Sequence, residues 1–191
     1  MTEKKLPPGD KLVWIDMEMT GLDTSKEKII EIATIITDSQ LGIVEEGPNL
    51  IIHQSQKLLD SMDEWNKKHH TKSGLLEEVN KSQITTAEAE CLTLEFIKKH
   101  TAGKRPILCG NSVHHDRRFL ESCMPSIDLY LHYRHIDVST IKVLSKYSYP
   151  HHKRPDKKKS KHRALEDIRE SIEELRYYRK VFFKARVKSS S

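Results

Sequence analysis

The run Leu12-Val13-Trp14-Ile15-Asp16-Met17-Glu18-Met19 is apolar but for two acids, and its length and composition predict a buried β-strand. Side chains alternate faces along a strand, so Asp16 and Glu18 project to one side while Val13, Ile15, Met17 and Met19 cover the other. Turn composition at Thr20-Gly21-Leu22-Asp23 ends the strand. Two further apolar runs, Ile29 to Ile36 and Leu50 to Ile52, predict hairpin neighbours, with Gly42 and Gly47-Pro48 punctuating the connection between them.

Helical signals follow. Ser61-Met62-Asp63-Glu64 has the form of a capping box opening a short helix through Trp65, and Ser73 is placed to cap another starting at Gly74. A second capping box, Thr85-Thr86-Ala87-Glu88, starts a long helix holding Leu92, Phe96 and Ile97. Pro106 to Cys109 predicts a short buried strand, and Asn111 or Ser112 a cap for the helix carrying Asp116, which stops before Pro125. Tyr133 to Val138 is the fifth strand candidate, with Ser139 capping a helix from Thr140 to Lys146. A strong amphipathic helix begins near Arg163, with Leu165, Ile168, Ile172, Leu175, Tyr178 and Phe182 on its apolar face. This order predicts an α/β architecture, a mixed five-stranded sheet flanked by helices. With no internal repeat and no linker composition, residues 1–191 read as one domain, its core about 11–183 between short tails.

Composition narrows the class. A hydrophobic fraction of 36% beside 32% charged residues is polar but globular. No apolar run approaches the ~18 residues of a bilayer span, so no membrane association is expected. The first residues include Glu3, Asp10 and two prolines without an apolar stretch, which argues against a secretory leader. Cys91, Cys109 and Cys123 lack metal-ligand spacing and read as buried thiols in a reducing compartment. The net charge of +5 is uneven: His151 to Arg163 holds seven Lys or Arg against one acid, Asp156. Such a run is a solvated loop or a phosphate-attracting one.

Candidate chemistry gathers around the opening pair of acids. Two carboxylates on one strand face repel, and burying them is costly unless a cation lies between. Oxygen-only ligands favour Mg²⁺ or Mn²⁺ over zinc. The bland alternative has one acid solvated at the strand end and the other paired with Lys or Arg. Asp116 follows the strand–helix junction Gly110-Asn111-Ser112 by about one turn, and His162 and Asp167 flank the start of the last helix. Five positions apart on a helix, these two would point about 140° away from each other. His162 therefore reads as a loop residue, with Asp167 facing inward. Four carboxylates can hold two divalent ions about 3.5–4 Å apart across a phosphodiester, while a histidine takes the proton of the attacking water.

Asp16-Met17-Glu18-Met19-Thr20-Gly21-Leu22, Gly110-Asn111-Ser112 with Asp116, and His162-x4-Asp167 together resemble the DEDDh branch of the 3′→5′ exonucleases. Three further blocks narrow the resemblance to the oligoribonucleases. They are Met62-Asp63-Glu64-Trp65-Asn66; His132-Tyr133-Arg134 with Asp137-Val138-Ser139-Thr140; and the run from His162 to Ser171. The resemblance covers roughly Lys11 to Phe183.

The resemblance implies an RNase H-like fold, with Asp16, Glu18, Asp116 and Asp167 as ligands of two metal ions, Mg²⁺ or Mn²⁺, per active site. His162 matches the general base, Leu22 the wedge between the two terminal bases, Trp65 the stacking aromatic, and His70 a residue beside the substrate's 3′ end. Ser112, Arg134, Ser139 and Thr140 match the cap on the 5′ phosphate of a very short RNA. Tyr133 and Arg134 match residues that reach into a partner subunit's site, so a homodimer is implied. The basic segment 151–161 departs from the shorter acidic or neutral loop of many bacterial relatives. Outside this motif context, Trp65 would read as core and Leu22 as a turn-edge hydrophobe. Asp137 competes for a ligand role and is assigned instead to pairing with backbone or Arg. The pairs His69-His70, His114-His115 and His151-His152 lack the spacing of a zinc site.

The expectation is a Mg²⁺/Mn²⁺-dependent 3′→5′ exoribonuclease that converts very short single-stranded RNA to 5′-mononucleotides in the cytoplasm, with mitochondria also served by eukaryotic relatives. The rivals are an exonuclease of the same branch acting on longer RNA or single-stranded DNA, and a non-catalytic nucleic-acid-binding module.

Overall fold

The computed structural model describes residues 11–103, 105–151 and 163–183. Its elements run β1 Lys11–Met19, β2 Ile29–Asp38, β3 Ile43–Ile51, α1 Gln56–Ser61, α2 Glu64–Lys72, α3 Leu75–Lys81, α4 Thr86–Thr101, β4 Ile107–Gly110, α5 His114–Cys123, α6 Pro125–Tyr130, β5 His135–Asp137, α7 Val138–Ser148 and α8 Ala164–Phe182. The sheet has five strands in the order β3-β2-β1-β4-β5. The first three pair antiparallel, whereas β4 joins β1 and β5 joins β4 in parallel. This is the mixed sheet that the hydrophobic pattern predicts.

Strand alternation sorts the core into two layers. Val13, Ile15 and Met17 pack with Ala89 and Ile97 of α4 and with Phe119, Leu120 and Ile127 of α5 and α6. Leu12 and Trp14 face the other way, onto Ile168, Ile172, Leu175 and Tyr178 of α8 and Val138 of α7. A smaller cluster joins Ile30 to Leu59, Leu75 and Val79, seating α1 and α3.

Several local expectations are corrected. Gly47 and Pro48 lie inside β3, not in the connection before it. They fall where the ladder slips, between Ala33↔Asn49 and Ile35↔Glu46. An edge strand tolerates proline at such a bulge because its outer side needs no ladder bond. A Cβ at Gly47 would come within 2.4 Å of the Phe96 ring, so a larger residue there needs the ring to move. Ser61 ends α1, which Ser55 caps. Helix α2 is capped by Asp63, which accepts from the Asn66 amide at 2.9 Å. Ser73 closes α2, and the following Gly74 takes φ 78°, a left-handed turn that glycine adopts at little cost. The Thr85–Glu88 capping box forms as expected. Neither Asn111 nor Ser112 caps α5: the Asn111 amide donates to Ser171 and Glu174 of α8, and Ser112 has φ 53°. Pro125 also opens a further helix, α6, where the sequence pattern marks only the end of α5. Strand β5 is shorter than Tyr133–Val138, and Asp137 rather than Ser139 caps α7. Of the three thiols only Cys109 is buried; Cys91 is exposed and Cys123 half-buried. Among the described residues no helix is long and apolar enough to cross a membrane.

Candidate active site

Asp16 sits opposite Ala33, and Glu18 opposite Glu31. Both acids thus continue the strand face that α8 covers. Helix α8 enters over the same face, where the Ala164 amide donates to Glu31 at 3.2 Å. Asp167 follows within the first turn. Carboxylate oxygens of Asp16, Glu18 and Asp167 all lie within 4.8 Å of one another. Asp116 stands outside this trio. It is buried on α5 and accepts from the Met17 amide at 3.1 Å, the backbone link between the two strand acids.

The electrostatics match a site built for cations. Burial, then the charges of Asp167, Glu31 and Asp116, push Glu18 up to about 8 against a smaller opposing pull from Arg163. Burial, with the Asp137 charge, likewise raises Asp116 to about 8, although its own and the Met17 amide pull it down. Oxygen-only donors that repel one another fit a hard divalent ion. Among the described residues no other group of three or more His, Cys, Asp and Glu side chains is so placed.

Beside the acids opens a cleft of about 140 Å³ lined by Glu18, Met19, Leu22, Trp65, His69 and His70. Leu22 and Trp65 are 57% and 59% exposed, large apolar groups left facing the opening. The Thr20 hydroxyl fixes the turn that presents Leu22, donating to Glu27 at 2.5 Å and accepting from the Lys28 amide at 3.0 Å. His70 is buried, with Nε2 3.0 Å from the Met19 carbonyl and Nδ1 3.9 Å from Glu18. His69, read from sequence only as half of a possible zinc pair, stacks on Trp65 at 3.9 Å between ring centroids.

At the ends of β4 and β5, Asp137 accepts from the Ser112 amide, the Ser139 amide and the Ser139 hydroxyl. This fits the structural assignment of Asp137 and brings Ser112 and Ser139 together. Thr140 is exposed on the same turn of α7. Tyr133 is 68% exposed, and the Arg134 guanidinium lies over its ring at 5.2 Å. His162 and residues 152–161 of the basic segment lie outside the described residues.

Sequence reasoning missed Glu31 and Arg163. The signal was a lone charge in an otherwise apolar strand, Ile29-Ile30-Glu31-Ile32.

Residues 13–175 match the RNase_T family model, described as an exonuclease family. An oligoribonuclease of Coxiella burnetii is 56% identical over 171 residues, covering 89% of this chain and 93% of that protein. The chain belongs to the oligoribonuclease family. A probable oligoribonuclease of Dictyostelium discoideum is 54% identical over 174 residues, 91% of each chain. Outside the oligoribonucleases, exonuclease I of Methylocaldum szegediense superposes with a TM-score of 0.69 at 16% identity, covering 90% of this chain and 41% of that one. The metal-free Escherichia coli exonuclease I–ssDNA complex gives 0.67 at 12% identity, over 91% and 40%. At such identities the likeness speaks for the fold, the RNase H-like arrangement that this oligoribonuclease family member was expected to have.

Proposed function

We propose that this chain is a 3′→5′ exoribonuclease that hydrolyses very short single-stranded RNA to 5′-mononucleotides. The observation that carries the reading is the acidic trio, one member of which, Glu18, lines a cleft flanked by Leu22 and Trp65. Asp16, Glu18 and Asp167, with Asp116 behind Met17, are the residues to hold two Mg²⁺ or Mn²⁺ ions. Such ions, when bound, stabilise the charge that develops on a phosphodiester during displacement. Trp65 stacks on a terminal base, which every base permits, and Leu22 wedges against its neighbour. His70 orients the 3′ end. His162 takes the proton of the attacking water as the new P–O bond forms and the bond to the 3′ oxygen breaks.

Length selection belongs to the far end of the site. Ser112, Ser139 and Thr140 cap a 5′ phosphate, and Arg134 supplies a planar fork suited to it. We assign Tyr133 and Arg134 to the twin's site in a homodimer. Their exposure supports this, as does the exposed apolar set Val143, Leu144 and Tyr147 on α7. The free cysteines suit a reducing compartment, and we place the activity in the cytoplasm. The whole chain acts in this reading as one exonuclease domain.

The test is degradation of 5′-labelled RNAs, graded from dinucleotides to oligomers about ten times longer, in the presence of Mn²⁺. A rate that falls steeply with length is expected. A flat or rising rate would replace this reading with an exonuclease of long polymers. Mixing Asp16→Asn and Arg134→Ala chains tests the shared site. Recovery of activity on subunit exchange requires donation across the dimer, and exchange without recovery removes it.

A further inference from the structure

Glu31 is fully buried in an apolar strand and faces Glu18 across the β1–β2 ladder. Its counter-charge is Arg163, the residue immediately before α8. Arg163 Nε donates to both Glu31 oxygens, at 3.2 and 3.3 Å. The two terminal nitrogens of the same guanidinium donate in parallel to Glu78 of α3, at 2.9 and 2.8 Å. A planar fork bonded along two edges cannot rotate without breaking several charge-assisted bonds. One side chain thereby ties β2, α3 and the entry to α8 together. Its backbone carbonyl then accepts from the Asp167 amide at 3.0 Å, one turn into the helix. Its covalent neighbour on the other side is His162.

We propose that Arg163, clamped between Glu31 and Glu78, is a positioning residue for hydrolysis: it sets Asp167 against Asp16 and Glu18. The proposal rests on the exoribonuclease reading for its catalytic part. Groups that orient metal ligands commonly influence metal affinity or activity by about 10–100-fold without touching substrate. An ion pair that merely braces the fold acts on stability alone. Glu78 separates the two cases, because it is partly exposed on α3 and does not line the cleft.

The experiment compares Glu78→Ala, Glu78→Asp and Arg163→Lys with the unaltered protein. Arg163→Lys keeps the charge and loses the fork. Three quantities are read: kcat and KM on a dinucleotide, the Kd for Mn²⁺ by calorimetry without substrate, and Tm. Glu78→Ala and Arg163→Lys are expected to lower kcat about tenfold and weaken Mn²⁺ binding several-fold, with KM nearly unchanged and Tm lowered more by Arg163→Lys than by Glu78→Ala; Glu78→Asp should recover part of the kcat and Mn²⁺ losses. Unaltered kcat and Mn²⁺ affinity would overturn the proposal, as would a lowered Tm with unaltered kcat and affinity. If the unaltered protein fails to cut dinucleotides, the exoribonuclease reading falls, while the Mn²⁺ measurement still decides whether the clamp sets Asp167.

Discussion

Two buried acidic regions share the α8 side of the sheet and behave oppositely. Glu174 is buried, yet Lys142, Tyr178 and Asn111 surround it at 3.0, 3.0 and 3.2 Å. Burial pushes its carboxyl up, but these donors, led by Lys142, more than offset it and leave it below the usual range. Glu18 is pushed up by burial too, but with Asp167, Glu31 and Asp116 as neighbours little offsets it, and it rises to about 8. Burial alone therefore does not fix the direction in which a carboxyl shifts. The sign of the neighbouring charges does. Where donors converge, the carboxylate knots α8 to α7 and to the turn after β4. Where other acids converge, the folded chain supplies too little positive charge, and a cation from solution is the natural complement.

The comparison breaks most sharply at the acids themselves. Asp16→Asn or Asp167→Asn should reduce hydrolysis to background at saturating Mg²⁺ while leaving the circular dichroism spectrum unchanged. The metal-free melting temperature should stay level or rise, because a repelling charge has gone. Near-normal turnover in either variant would remove the trio from the chemistry. Glu174→Ala should do the reverse. Leaving Lys142 and Tyr178 without their acceptor is expected to cost about 1–3 kcal/mol in denaturant unfolding, with Mn²⁺ affinity unaltered. A variant as stable as the parent would show that the hub is not held by that carboxylate.

A smaller effect tests the opposed signs. Glu18 is raised on folding from 4.5 to about 8, so between those values the folded state keeps a proton that the unfolded chain has released. Its favourable contribution is full below pH 4.5 and disappears as pH rises through about 8. Glu174 is lowered, so its contribution is present above its unfolded value of 4.5 and disappears as pH falls below it. In metal-free protein, Glu18→Gln should therefore flatten the alkaline decline in melting temperature, by a few degrees at most. Glu174→Gln should flatten the acid decline. The same slope in all three proteins would contradict the assignment. Saturating Mn²⁺ is expected to raise the melting temperature most at the alkaline end, where the acids are ionised.

The legible parts of the fold were those whose signals are local. The α8 stripe and the Thr85–Glu88 box each sit within one element, and both formed as read. The alternation of Asp16 and Glu18 against Val13, Ile15 and Met17 was equally plain. Misreadings came where a partner lies far along the chain. Asn111 looks like a helix cap until Ser171, sixty residues on, claims its amide. Gly47-Pro48 has turn composition, and only its place on an edge strand against Phe96 makes it a bulge. Short pieces such as α1 and α6 carry too few residues for periodicity to register. The gathering of Asp16, Glu18 and Asp167 was legible from spacing and resemblance. The Glu31–Arg163–Glu78 clamp was not, since its partners are 132 and 85 positions apart.

The bulged strand β3 has a consequence for association. An open rim of a sheet invites a foreign strand to continue the ladder. Here one rim carries Pro48, a register slip and the acids Glu45 and Glu46, the latter gripped by Arg169 of α8 at 3.0 and 2.6 Å. The opposite rim, β5, is three residues long. Both rims of the sheet thus carry features that work against edge-to-edge pairing, proline, a register slip and charge on one and shortness on the other.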